Sequence, residues 1–220
     1  MFLDPTRFPV SRQLESSFAT FRGELDRLPE GLFQAWPLAE SYQGTWQMFP
    51  LVLLEAPPGF VVDLARNRAL CPGTWRRLQE IGRIRTACFS WLGPGAHIYA
   101  HTDAYYHRLV RLHLGLRVPA QSLMRVADEL RSLEEGVCIV VDGQTPHEAA
   151  NLSAQPRVTL LVDVEMSAAE EHYVLAVSPH RRRALDRHLR DAATTGPGQA
   201  MSPMMAPQTS HTPPPPAEPA

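Results

Sequence analysis

The sequence predicts a mainly β domain, a sandwich or jelly roll flanked by helices at both ends. Three observations lead there. Short apolar and β-branched segments succeed one another between Thr86 and Val164, separated by turn residues at intervals of about 8–14 residues, with no helix between them. Helical spacing of apolar residues occurs instead before and after that stretch. The composition, 44% apolar and 20% charged over 220 residues, suffices for one ordinary hydrophobic core.

In chain order, the first 30 residues read as a helix: Leu14, Phe18, Phe21, Leu25 and Leu28 recur at helical spacing, Ser11 is placed to cap it and Pro29 to end it. Residues 31–70, with Trp36, Trp46 and an apolar run from Phe49 to Leu54, read as short strands and loops. A short helix starts at Thr74, after Pro72-Gly73, and carries Trp75 and Leu78. Strands are expected over 86–92, 97–101, 109–118, 122–127, 137–141, 147–152 and 157–164, punctuated by Gly93-Pro94-Gly95, Pro119, Asp142-Gly143 and Pro156. A last helix opens with Ser178 as cap and Pro179 in its first turn, and Ala184, Leu185, His188 and Leu189 give it an apolar edge. One domain is therefore expected over 1–192, with its jelly-roll core at about 86–165. The Pro-rich tail, 193–220, has too little apolar surface to offset its ordering entropy and is expected to be disordered.

A formal net charge of −2 argues against a nucleic-acid partner. The arginines at 181, 182, 183, 187 and 190 read as the solvated face of the last helix, within reach of Asp163, Glu165, Glu170 and Glu171. The N-terminus lacks a signal-peptide core, and no apolar run approaches the ~18–20 residues that span a bilayer, so a cytoplasmic protein is expected. Cys71, Cys88 and Cys138 form no metal-binding pair and read as buried free thiols.

Two histidines stand out from the nine. His101 opens His101-Thr102-Asp103 at the end of a strand, where residues two apart share a face. His147 follows far downstream, in Thr145-Pro146-His147-Glu148. Two imidazoles and a carboxylate can occupy one face of an octahedral ion and leave three positions open, the facial triad of non-haem Fe(II) sites. Alone the pattern is weak, because many chains carry it by chance. Arg157 adds weight: at the head of the most apolar strand it faces the core, where an unpaired charge is costly and a bound carboxylate would satisfy it. His97 shares the face of His101 but sits about 13 Å along the strand, too far to join the set.

The segment from Phe89 to Asp103 (FSWLGPGAHIYAHTD), the run Arg111 to Pro119, and the stretch Asp142-Gly143-Gln144-Thr145-Pro146-His147-Glu148 with Asn151 and Arg157 to Asp163 resemble the aspartyl/asparaginyl β-hydroxylase family in order and spacing. Tyr42 to Leu51 and Cys71-Pro72 resemble it further upstream. The resemblance implies a double-stranded β-helix of the cupin type and an Fe(II)- and 2-oxoglutarate-dependent dioxygenase that hydroxylates a C–H bond with O2, releasing succinate and CO2. It places His101, Asp103 and His147 on the metal, although some members have glycine at the position of Asp103. It places Arg157, Ser90 and His113 at 2-oxoglutarate, and Arg111 and Trp46 toward the substrate, with Trp46 approaching from outside the barrel. Tyr105, Tyr106, His107 and Arg108 form a loop at the substrate mouth or an exposed turn. Two departures border the substrate and are expected to touch no metal ligand: Gly143 replaces the family's second acid, and the segment between Asp103 and Arg111 is about one residue longer. The expected substrate is a free amino acid, a carrier-bound amino acid or a peptide. A non-catalytic metal- or 2-oxoglutarate-binding module, and a zinc hydrolase with Glu148 as base, are the competing readings.

Overall fold

The computed structural model describes residues 1–54, 59–103 and 108–194. Most of the expected tail, from 195 on, and the loop residues Tyr105, Tyr106 and His107 lie outside the described residues. Two antiparallel sheets face each other as a double-stranded β-helix. The larger runs β1 (Phe2–Leu3), β10 (Cys138–Val141), β7 (Leu109–Arg117), β12 (Arg157–Glu165), β5 (Ile84–Leu92), β4 (Trp46–Val52) and β2 (Gln34–Ala35). The smaller runs β3 (Tyr42–Gln43), β6 (His97–His101), β11 (His147–Asn151), β8 (Ser122–Val126) and β9 (Glu129–Ser132).

Among the described residues six α-helices accompany the sheets: α1 (Pro9–Ser16), α2 (Phe18–Leu25), α3 (Leu64–Leu70), α4 (Pro72–Ile81), α5 (Ala168–Val177) and α6 (Pro179–Thr194). The single N-terminal helix expected from the spacing is broken at Ser17, whose φ of −100° and ψ of 5° leave the helical well. The apolar stripe survives the break, with Leu14, Phe21 and Leu25 all buried. Ser11 does not cap. Pro9 takes the first turn instead, and Ser11 sits inside α1 with its hydroxyl unpartnered. Glu24 on α2 accepts from the backbone N–H of Gly73 (2.8 Å) and Thr74 (2.7 Å), placing a carboxylate on the positive end of α4.

Strand alternation divides the larger sheet into two working faces. Leu112, Leu114, Leu160, Val162, Phe49 and Phe89 point outward into the core that the helices cover. The inward face presents Arg111 and His113 from β7, Arg157, Thr159, Leu161 and Asp163 from β12, Ser90 from β5 and Trp46 from β4. Opposite them Ile98, Met124, Val126 and Ala149 of the smaller sheet close an apolar interior with Trp46 and Leu92. Asn151 fixes the turn that delivers Arg157: its side-chain amide donates to the carbonyls of Leu92, Gly93 and Gln155.

All three cysteines are buried and unpaired. No described helix is long and apolar enough to cross a membrane.

Candidate active site

His147 opens β11 and is the register partner of His101, the last residue of β6. From that pair to the next, Ala149 with Ile98, β11 advances two residues while β6 advances three. The extra residue is a β-bulge, and it resets the alternation of β6. Ile98 and His101 therefore both face inward, which strict alternation forbids. His97 ends on the other side, half exposed and 3.1 Å from Glu148, so the expectation that it shares the face of His101 is corrected. Ligand atoms of His101, Asp103 and His147 lie within 4.8 Å of one another.

Each imidazole is held by the carbonyl two residues before it. Nδ1 of His101 lies 2.7 Å from the Tyr99 oxygen, and Nδ1 of His147 lies 2.9 Å from the Thr145 oxygen. A carbonyl only accepts, so Nδ1 carries the proton and the Nε2 lone pair is left for a metal. Burial, helped by the neighbouring His101, pushes His147 down to about 4, which keeps it neutral and able to ligate. Burial alone raises the Asp103 carboxyl, but the Arg111 charge opposes it and the group is held below its ordinary value. Arg111 grips Asp163 with Nε (2.7 Å) and Nη2 (2.9 Å) and reaches Asp103 with Nη1 at 3.3 Å. Its three contacts are therefore to protein carboxylates; it meets Asp103 rather than standing free for a substrate acid.

The imidazoles open into a cleft of about 360 Å3, measured out to its mouth, which also reaches His113, Ser90, Arg157 and Trp46. Arg157 is 1% exposed, and its Nε and Nη1 have no partner. Burial pushes this guanidinium down to about 10. Both ring nitrogens of His113 are buried without partners, and burial, with Arg111 and Arg157 nearby, pushes it well below its ordinary value. The Thr159 hydroxyl is also buried and unpartnered. Ser90 accepts from the Trp46 indole N–H at 3.0 Å, which leaves its own hydroxyl proton to donate. An unmet buried polar group costs about 1–3 kcal/mol, more for a charge, so this concentration on one inner face marks a place for a polar, anionic ligand.

Thr159 was absent from the sequence expectations, though alternation along β12 puts it on the face of Arg157. Trp46 does not approach from outside: β4 belongs to the larger sheet, and the indole lies inside, stacked on Trp36 at 4.0 Å between ring centres. Gly143 does touch an expected metal ligand, because a Cβ there would lie 1.8 Å from Oδ2 of Asp103. Arg181 leaves the solvated arginine face. It is 1% exposed and pairs with the buried Asp142 at 2.5 Å, while Ser178 donates to the same carboxylate at 2.7 Å. Glu148 has its carboxylate taken by Arg125 (2.6 Å) and His97 (3.1 Å).

Residues 15–167 match the family model described as aspartyl/asparaginyl beta-hydroxylase. The chain belongs to this family. The β-hydroxylase-family relatives include the ornithine lipid ester-linked acyl 2-hydroxylase of Rhizobium tropici, 31% identical over 171 residues, spanning 73% of this chain and 58% of that protein. Aspartate beta-hydroxylase domain-containing protein 2 of Xenopus tropicalis is 32% identical over 177 residues, spanning 71% of this chain and 45% of that one. The human aspartyl/asparaginyl beta-hydroxylase is 32% identical over 129 residues, spanning 54% of this chain and 16% of that one. This family member thus covers 58% or less of the length of each of these relatives.

Proposed function

We propose that this chain is an Fe(II)- and 2-oxoglutarate-dependent dioxygenase that uses O2 to hydroxylate an unactivated C–H bond, with release of succinate and CO2. One observation carries the reading: the two imidazoles of a His–Asp–His cluster line the same cleft as a buried guanidinium whose Nε and Nη1 have no protein partner. Iron with its cosubstrate supplies the oxidising power, and the protein supplies geometry and exclusion of water.

In this reading His101, Asp103 and His147 hold the metal through two Nε2 atoms and one carboxylate oxygen. Arg157 binds the distal carboxylate of 2-oxoglutarate, and the Ser90 and Thr159 hydroxyls supply further donors. His113, kept neutral by its surroundings, lies between that end and the metal. Arg111 is a positioning residue: anchored on Asp163, it keeps Asp103 ionised and aimed. Trp46 orients the Ser90 hydroxyl and, with Trp36, walls the cleft against water. The engagement of Glu148 by Arg125 and His97 disfavours its use as a hydrolytic base.

The substrate we propose is small: an amino acid, a carrier-bound amino acid or a peptide. An acyl chain, as the name of the Rhizobium relative indicates for that protein, is a second reading. The occupation of Arg111 by Asp163 and Asp103 favours it, as do Ile98, Met124, Ala149 and Leu161 in the cleft wall. The test is to incubate the protein with Fe(II), ascorbate and 2-oxoglutarate and measure succinate, expecting slow formation without substrate. Amino acids, peptides and acyl lipids are then screened by mass for the gain of one oxygen atom. Metal binding with no succinate under any of these conditions would leave the non-catalytic module as the reading.

A further inference from the structure

We infer that Gly143 is the residue that admits the Asp103 carboxylate to the metal position, so that the third ligand depends on a missing side chain as much as on the aspartate itself. This rests on the metal site proposed above. A Cβ built on Gly143 would lie 1.8 Å from Oδ2, 2.7 Å from Cγ and 3.3 Å from Cβ of Asp103. Two of these contacts are far inside van der Waals distance, so a methyl group and this carboxylate position exclude one another.

Conformation is not what requires glycine here. Gly95 and Gly136 have φ of 67° and 77°, in the left-handed region, but Gly143 does not. No positive φ calls for glycine at this position; the close approach of Asp103 does.

Neither wall can retreat. The Asp103 N–H donates to the Gly143 carbonyl at 2.8 Å, pinning the two backbones together. Gln144 Nε2 donates to the Asp103 carbonyl at 3.3 Å, and Arg111 Nη1 donates to the other carboxylate oxygen, Oδ1, at 3.3 Å. Behind Gly143, Asp142 is 1% exposed and fixed by Ser178 and Arg181. What remains to Asp103 is rotation about its own χ1, which swings the carboxylate away from the two imidazoles. The cost then appears in metal affinity rather than in the fold. Disturbing a ligand's supporting contacts typically weakens metal binding about 10- to 100-fold.

The experiment is a double-mutant cycle on Co(II) binding, read by calorimetry and by the visible absorption of the bound ion. Its members are wild type, Gly143→Ala, Asp103→Gly and the double variant. Gly143→Ala is expected to weaken Co(II) about 10- to 100-fold in the wild-type background and to leave it unchanged in the Asp103→Gly background, where no carboxylate needs the room. Should Gly143→Ala not fold, the cycle is read on the thermal midpoint, where Asp103→Gly must rescue it. Wild-type affinity in Gly143→Ala, or an equal penalty in both backgrounds, would overturn the inference and leave the metal site standing. A wild-type protein without Co(II) affinity would overturn the metal site and the inference together.

Discussion

At the scale of single residues, Arg157 shows most clearly how a candidate site is marked in the fold. It is fully buried with two nitrogens unmet, so the fold carries the desolvation of a charge with no counter-ion to offset it. Arg157→Met keeps most of the volume and removes the charge. The ligand-free variant is expected to be as stable as wild type or more so, by up to about 1–4 kcal/mol in urea unfolding. Its affinity for 2-oxoglutarate with Mn(II) present should fall by about 2–5 kcal/mol in calorimetry. A less stable variant that binds the cosubstrate unchanged would remove Arg157 from the site. This residue was legible in the sequence because a charge at the head of an apolar strand needs an explanation. His101, Asp103 and His147 form a pattern that is weak by type and spacing alone and gains weight from Arg157 and the family resemblance; the structure brings their ligand atoms together. Gly143 was seen as a departure, but its meaning was hidden, because the atom it makes room for belongs to a residue 40 positions earlier. Thr159 was hidden for a different reason: threonine is ordinary in a strand, and only its unmet hydroxyl distinguishes it.

At the scale of elements, the seven strands expected between 86 and 164 fall within two residues of their observed bounds, because apolar alternation and Gly/Pro turns both mark them. The failures have physical causes. β9 reads Glu-Leu-Arg-Ser, an edge strand with little apolar content, stabilised by pairing with β8 rather than by its own pattern. α5 falls where no helix is expected, although the Ser167–Glu170 capping box marks its start. The bulge in β6 leaves no mark in composition, yet it decides which way His101 points. α6 was expected, but not its attachment: Arg181 and Ser178 reach from its start to Asp142, at the base of the loop that carries Gly143 and leads into His147. Arg181→Met strands a buried carboxylate and is expected to cost about 3–5 kcal/mol. Adding Asp142→Asn removes the orphaned charge and should recover much of that loss in urea unfolding. A single variant within about 0.5 kcal/mol of wild type would mean the pair behaves as a surface contact.

At the scale of the whole molecule, the two sheets divide the chemistry between them. The smaller sheet and the segment just past β6 carry His101, His147 and Asp103. The larger carries Arg157, Thr159, His113, Ser90 and Arg111. The sequence bounds seven of the twelve strands found among the described residues and does not show which sheet each joins, because antiparallel strands of similar pattern are interchangeable until they pair. That partition has a consequence for stability. In the proposed reading, a metal alone would engage one sheet and its adjoining segment, and a cosubstrate carboxylate alone would engage the other. A metal-bound cosubstrate would span the gap and cross-link both. Each ligand at about 100 times its dissociation constant should add about 2.7 kcal/mol if it acted independently. For a domain of this size, that is roughly 5–10 °C in thermal midpoint. With Mn(II) and 2-oxoglutarate together, the rise in midpoint is expected to exceed the sum of the separate rises, because each ligand completes the binding surface of the other. Additive shifts would mean that the guanidinium and the metal ligands belong to two independent sites, however close they lie across the cleft.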